Sequence, residues 1–235
     1  MTTFGGRTVP PLFGGDAPLG FELRDAGPVT LFLRLDGHPD TAIVLPDRKV
    51  DDILIAYWAQ DPGGMPNVPG WTMMIPTQSN NNLFTRQATN DANDAFIIPA
   101  TQTDAIFAQV ASFNNPLANG VTSVSSSTTR TGNRVDWILT SLAASALLDT
   151  LIISRVWRLS VGGGVGLTET DNLIAEGFQT VGKGGDGSGS RNFHGMWSWR
   201  NDPDAGLIVP LVDQGYAPVL SQFMFSHTIR FQQTP

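Results

Sequence analysis

The chain has no cysteine in 235 residues, so no disulfide, thiolate metal site or cysteine nucleophile can form. Charge is scarce too: Asp, Glu, Lys and Arg make up 15%, against about 25% in ordinary globular domains. The 14 basic residues are scattered, and 21 acidic ones leave a net charge of -7. Nucleic-acid binding needs clustered Lys and Arg to neutralise phosphates, so that class is excluded. No run approaches the roughly 20 apolar residues of a membrane-spanning helix, which speaks against membrane insertion. The start, from Met1 to Gly6, lacks the basic and apolar regions of a signal peptide, as expected of a soluble protein made in a cytoplasm.

What the chain does have is hydrophobic content, 41%, cut into short intervals by 25 Gly and 16 Pro. Short strands joined by turns fit that punctuation better than helices of ordinary length. Residues 1–20 read as an extended arm with Phe4, Leu12 and Phe13 as anchors, or as a disordered terminus. Val29 to Asp36 alternates as a strand, Asp36-Gly37 supplies a hairpin turn, and Thr41 to Leu45 is the expected return strand. Asp52 to Ala59 is apolar on both faces and belongs in the centre of a sheet. Met73–Ile75, Leu83–Gln87 and Phe96–Ile98 follow as short strands, and Ala105–Phe113 as a strand with a helix as the alternative. Residues 114–134 read as a long connection, either a domain linker or a crossover between sheets.

The second half repeats the theme. Asp149 to Trp157 echoes Asp52 to Trp58, with an Asp, an aliphatic run and then an aromatic. Ile138–Leu148 is the best helix candidate, with a pair of strands competing. Met196–Arg200, Leu207–Val209 and Phe223–Phe231 are strands, and the last puts Phe223, Phe225, His227, Ile229 and Phe231 on one face. The fold class is therefore all-β: an extended arm and a jelly-roll-like β-sandwich over 21–235, or two related β subdomains dividing near 114–134.

Chemistry is thinly represented. His38, His194 and His227 lack the spacing of a metal-binding helix, and no Gly-x-Ser-x-Gly elbow occurs. Gly182-Lys183-Gly184 fails as a phosphate-binding loop because no hydroxyl residue follows the Lys. Gly162–Gly166 is followed by no helix pattern, so a flexible hairpin loop explains it better than a dinucleotide site. Asp61, Asp91, Asp94, Asp202 and Asp204 sit beside Asn, Pro or Gly, where Asx turns account for them. Asn90–Asp94 lacks the central Gly and closing Glu of a calcium loop. No catalytic residue, metal site or cofactor is expected. Trp197 and Trp199, two apart on one strand face, form a candidate glycan-contacting pair with His194 beside them; the same spacing equally buries both rings.

Asp52–Ala56, Val68-Pro69-Gly70-Trp71-Thr72, Arg86-Gln87-Ala88-Thr89 and Ala108–Asn114 together resemble a β-sandwich module of bacteriophage tail-fibre, minor-tail and other virion-surface proteins, and of some bacterial surface proteins. The resemblance covers roughly residues 48–232. The turn departs from the usual Pro-Ala-Gly-Trp-Thr in lacking the Ala. It implies a non-catalytic virion protein, in a tail tip or fibre that helps adsorption to the host, or in a capsid decoration or head fibre. It implies partners as well: copies of itself, a trimer first among them, other virion proteins, and a host surface glycan. A carbohydrate-binding module is the alternative from a different class. Trp71, placed after a tight turn, reads as closing the end of the sandwich core.

Overall fold

Apolar residues on both faces of Asp52–Ala59 demand a strand covered from two sides, and the fold is built around it. A computed structural model describes residues 21–32, 39–61, 65–74, 81–89, 94–100, 105–115, 121–130, 137–138, 149–159, 178–186, 192–202, 212–213 and 221–233. The first half of the chain forms β1 (Glu22–Ala26), β2 (Thr30–Phe32), β3 (Thr41–Ile43), β4 (Ile53–Asp61), β5 (Thr72–Met73), β6 (Asn81–Gln87), β7 (Phe96–Ile98) and β8 (Ala105–Asn114). The second half forms β9 (Val121–Arg130), β10 (Trp137–Ile138), β11 (Asp149–Leu159), β12 (Gln179–Asp186), β13 (Asn192–Asp202), β14 (Val212–Asp213) and β15 (Ser221–Gln233). Every pairing is antiparallel.

Two large sheets result. One runs β1-β8-β4-β6-β5, with β2 also on β8; the other runs β12-β13-β11-β15-β9. Two-stranded ribbons, β3-β7 and β10-β14, complete the set. The period of two sorts β4 between two cores. Ile53, Ile55, Tyr57 and Ala59 face the second sheet, where they meet Trp197, Trp199, Ile229 and Phe231. Leu54, Ala56 and Trp58 point the other way, onto Phe96 and Ile98 of β7, Ile43 of β3, and Val68 and Trp71. The first sheet is thus the middle of three layers. Rings lock both cores: Tyr57 lies 5.2 Å from Phe107 and 6.0 Å from Trp197, and Trp58 meets Phe96 edge-on at 6.1 Å. Fully burying one such side chain stabilises by about 1.5–3 kcal/mol, so this strand alone anchors the domain.

The all-β reading and the antiparallel sheets match expectation, and Ala105–Asn114 is a strand, not a helix. Each large sheet draws its strands from one half of the chain, so the strand exchange of a jelly roll is not seen among the described strands. Other expectations need correction. Thr41–Ile43 pairs with Phe96–Ile98, not with the Val29 segment, whose β2 instead joins β8. The turn signal at Asp36-Gly37 is local. Burial of Ile43 and Ile98 against Trp58 is non-local, and it decides the partner. Residues 114–134 are not only a connection, because Val121–Arg130 is a ten-residue strand on the edge of the second sheet. Its Ser and Thr show no apolar alternation, and an edge strand paired on one side needs none. Gly182-Lys183-Gly184 lies inside β12, and the helix candidate begins with strand β10, its residues 139–148 lying outside the described ones. The arm anchors Phe4, Leu12 and Phe13, the turn at Asp36-Gly37, Gly162–Gly166 and Leu207–Val209 also lie outside the described residues.

Candidate functional site

Three buried polar residues, Asp52, Asp94 and Gln109, centre three constructions, two at turns and one between the sheets. The first is built on the turn into β4. Asp51 takes a left-handed φ of 70°, which Asp tolerates better than most residues. It presents Asp52, 3% exposed, to the incoming chain. Asp52 Oδ2 accepts from Arg24 Nε at 2.6 Å and from the Lys49 amide at 2.7 Å, while Oδ1 accepts from Arg24 Nη2 at 3.0 Å. The same Nη2 donates to Asn114 Oδ1 at 3.3 Å. This fork ties β1, β4 and the end of β8 together. The hydrogen bonds that Arg24 donates to Asp52, helped by the negative charge of Asp52 against the opposing effect of burial, raise Arg24 above its ordinary pKa. Arg24 is cationic at neutral pH.

The second construction centres on Asp94, which is fully buried. Its Oδ2 accepts from Arg48 Nε at 2.7 Å. Its Oδ1 accepts from the Thr89 amide at 2.9 Å and the Thr89 hydroxyl at 2.8 Å, with Arg86 Nε 3.4 Å away. Arg86 Nη1 reaches back to the Gly70 carbonyl at 3.2 Å. Gly70 has φ +76°, a left-handed conformation that favours glycine, and a Cβ there would press on the Arg86 guanidinium. Trp71 follows, 7% exposed, donating Nε1–H to the Ala95 carbonyl at 2.9 Å and meeting Phe96 edge-on at 5.0 Å. The Gly-Trp turn, the Arg-x-Ala-Thr strand end and Asp94 thus form one clasp. Two arginines and a threonine occupy the Asp94 carboxylate, which makes it a structural anchor and a poor cation ligand.

The third construction lies between the sheets. Gln109 on β8 is 4% exposed, and its Nε2 donates to Gly27 O at 2.7 Å and to Val181 O at 3.3 Å. Its Oε1 accepts from Trp197 Nε1 at 2.7 Å. One side chain therefore bridges β8, the Gly27 turn, β12 and β13, across an otherwise apolar core. β12 approaches closely enough that a Cβ on Gly182 would fall 1.7 Å from Gln109 Oε1.

These placements change the reading of the candidate contact residues. Trp197 is 0% and Trp199 7% exposed, and both belong to the inter-sheet core, with Trp199 edge-on to Phe113 at 5.5 Å. They share a face as expected, but it is the buried one, because the first sheet covers it. His194 sits on β13 opposite Trp157 and Gly185. Phe4, Leu12 and Phe13 are not brought to any site among the described residues. Asp202 ends β13, and no group of three His, Cys, Asp or Glu side chains gathers among the described residues. Arg24, Arg48 and Gln109 went unremarked in the sequence. Gln109 carried a signal all the same, as the polar position that interrupts Phe107, Ala111 and Phe113 on one strand face.

What the three constructions do chemically is hold. Buried carboxylates face guanidinium groups and the buried amide faces carbonyls and an indole, an arrangement suited to clamping turns and layers. Comparison with protein-family models, with curated proteins and with solved structures finds no match for this chain.

Proposed function

We propose that the chain is a non-catalytic structural protein of a tailed-phage virion, a tail-tip or tail-fibre component that assists adsorption to the host. The observation that carries this reading is the Asp94 clasp. The residues behind the resemblance, Gly70, Trp71, Arg86, Ala88 and Thr89, are spent on closing one end of a β core, as expected of a scaffold module. The paired carboxylates leave little for proton transfer, which is consistent with a role in assembly. Trp197 and Trp199 are buried, so adsorption through this chain would use its polar loops and its neighbours in a homo-oligomer, a trimer in the first instance.

Gold labelling of intact virions with an antibody to this protein, read by electron microscopy, tests the proposal. Gold at the tail end supports adsorption. Gold on the head replaces the tail position with capsid decoration. Absence of the chain from the mass spectrum of purified virions would refute the virion role altogether.

A further inference from the structure

We infer that the chain is a tandem duplication: two copies of one seven-strand module, 22–114 and 121–233, facing each other as two subunits of a dimer would. The first observation is topological. In chain order β1, β3, β4, β5, β6, β7 and β8 correspond to β9 through β15. Under that correspondence the sheet order β1-β8-β4-β6-β5 becomes β9-β15-β11-β13-β12, which is the order found. The ribbon β3-β7 becomes β10-β14, also found. Only β2 has no counterpart among the described residues.

The second observation is register, which topology does not dictate. Ala26, Ala111, Ile55, Thr85 and Thr72 form one row across the first sheet. Ser125, Ile229, Ile152, Trp199 and Gln179 form the matching row of the second. Counting outward from these rows, residue types coincide at several key positions. Asp52 falls on Asp149, the one directly before the central strand of its sheet and the other its first residue. Ile53 opposite Phe113 falls on Thr150 opposite Phe231. Leu54 opposite Arg86 falls on Leu151 opposite Arg200. Trp71 falls on Phe178, each preceded by Gly and each buried, at 7% and 5% exposure.

The third observation is that the two matched arginines each reach toward the matched Gly-aromatic pair, one by a hydrogen bond and one by a ring contact. Arg86 reaches the Gly70 carbonyl beside Trp71, and the Arg200 guanidinium lies 4.7 Å from the Phe178 ring centre. Along β8 and β15 the pattern Phe107-x-Gln109-x-Ala111-x-Phe113 meets Phe225-x-His227-x-Ile229-x-Phe231. Chance agreement of strand order is conceivable for one sheet. Agreement of both sheet types, of register and of the Gly-aromatic pair together points to a common module.

The duplication names an interaction surface and its occupant. The five-stranded face of one module, with Ile55, Tyr57, Phe107 and Phe113, is covered by the equivalent face of the other, through Trp197, Trp199, Ile229 and Phe231. In an assembly, each chain then counts as two quasi-equivalent units, so a ring of three chains presents six. This inference stands on strand pairing, matched residues and matched contacts, and does not depend on the virion reading.

An experimental structure of the full chain tests it, with the superposition of 22–114 on 121–233 fixed in advance by Asp52/Asp149, Trp71/Phe178, Arg86/Arg200 and Phe113/Phe231. All four pairs should coincide to within one Cα step, about 3.8 Å. A slip of one residue in any strand reverses its faces and overturns the duplication. A second measurement tests the facing surfaces: the full chain carrying a protease site within residues 116–120 is cut after folding. The two fragments should co-elute as one particle, and separation into independent fragments would overturn the claim that each module covers the other.

Discussion

Gly182 and Gln109 offer the sharpest check on how the two sheets are joined. Replacing Gln109 by Ala removes its two donated bonds and leaves the Trp197 indole N–H buried without its acceptor at 2.7 Å. A buried donor left unpaired costs about 1–3 kcal/mol, and the Gly27 carbonyl loses a partner as well, so a loss of about 3–4 kcal/mol is expected. Gly182→Ala acts on the same group from the other side, since its Cβ would fall 1.7 Å from Gln109 Oε1 and 2.6 Å from Cδ. The amide must leave, and its bonds go with it, for about 2–4 kcal/mol by the same reckoning. Independent effects would add to about 5–8 kcal/mol in the double variant. The shared mechanism predicts otherwise: once Gln109 is Ala, the Cβ at 182 meets no amide, and the double variant should be close to Gln109→Ala alone. Urea unfolding followed by tryptophan fluorescence measures all four proteins, with the slope checked for constancy. Additive losses, or a Gly182→Ala variant as stable as the parent, would refute the bridge.

Other substitutions follow from the same geometry. Asp94→Ala leaves Arg48 without its buried partner and should cost about 3–5 kcal/mol, read by chemical denaturation. Trp71→Phe keeps the ring against Phe96 but loses the bond to the Ala95 carbonyl, so about 1 kcal/mol and a Tm drop of a few degrees are expected by calorimetry. Ile55→Asp places an unpaired carboxylate between the sheets and should abolish cooperative unfolding. On β7, Ile98→Asp should unfold the outer layer, whereas Ile97→Asp, at a position 42% exposed, should stay within about 0.5 kcal/mol of the parent. Equal effects at the two positions would contradict the strand's orientation.

Local pattern alone determined the class of this protein. Gly and Pro set the interval between strands, and the double-faced apolar run at Ile53–Ala59 named the central strand, because a strand apolar on both sides has no stable place except between layers. The echo between Asp52 and Asp149 also marked the central strands of the two sheets. Tertiary structure alone decided partnership. Thr41–Ile43 left its expected hairpin for β7 because burial under Trp58 outweighs proximity in the chain. Val121–Arg130 became a strand because β15 offered an open edge to a segment with no apolar pattern of its own. The face of Trp197 and Trp199 was legible from their spacing, but its burial was not: a strand shows which residues share a side, and only the sheet laid against it shows which side is dry. Gln109 belongs to the same class, a polar residue whose place in the core makes sense only when Gly27, Val181 and Trp197 converge on it from distant parts of the chain.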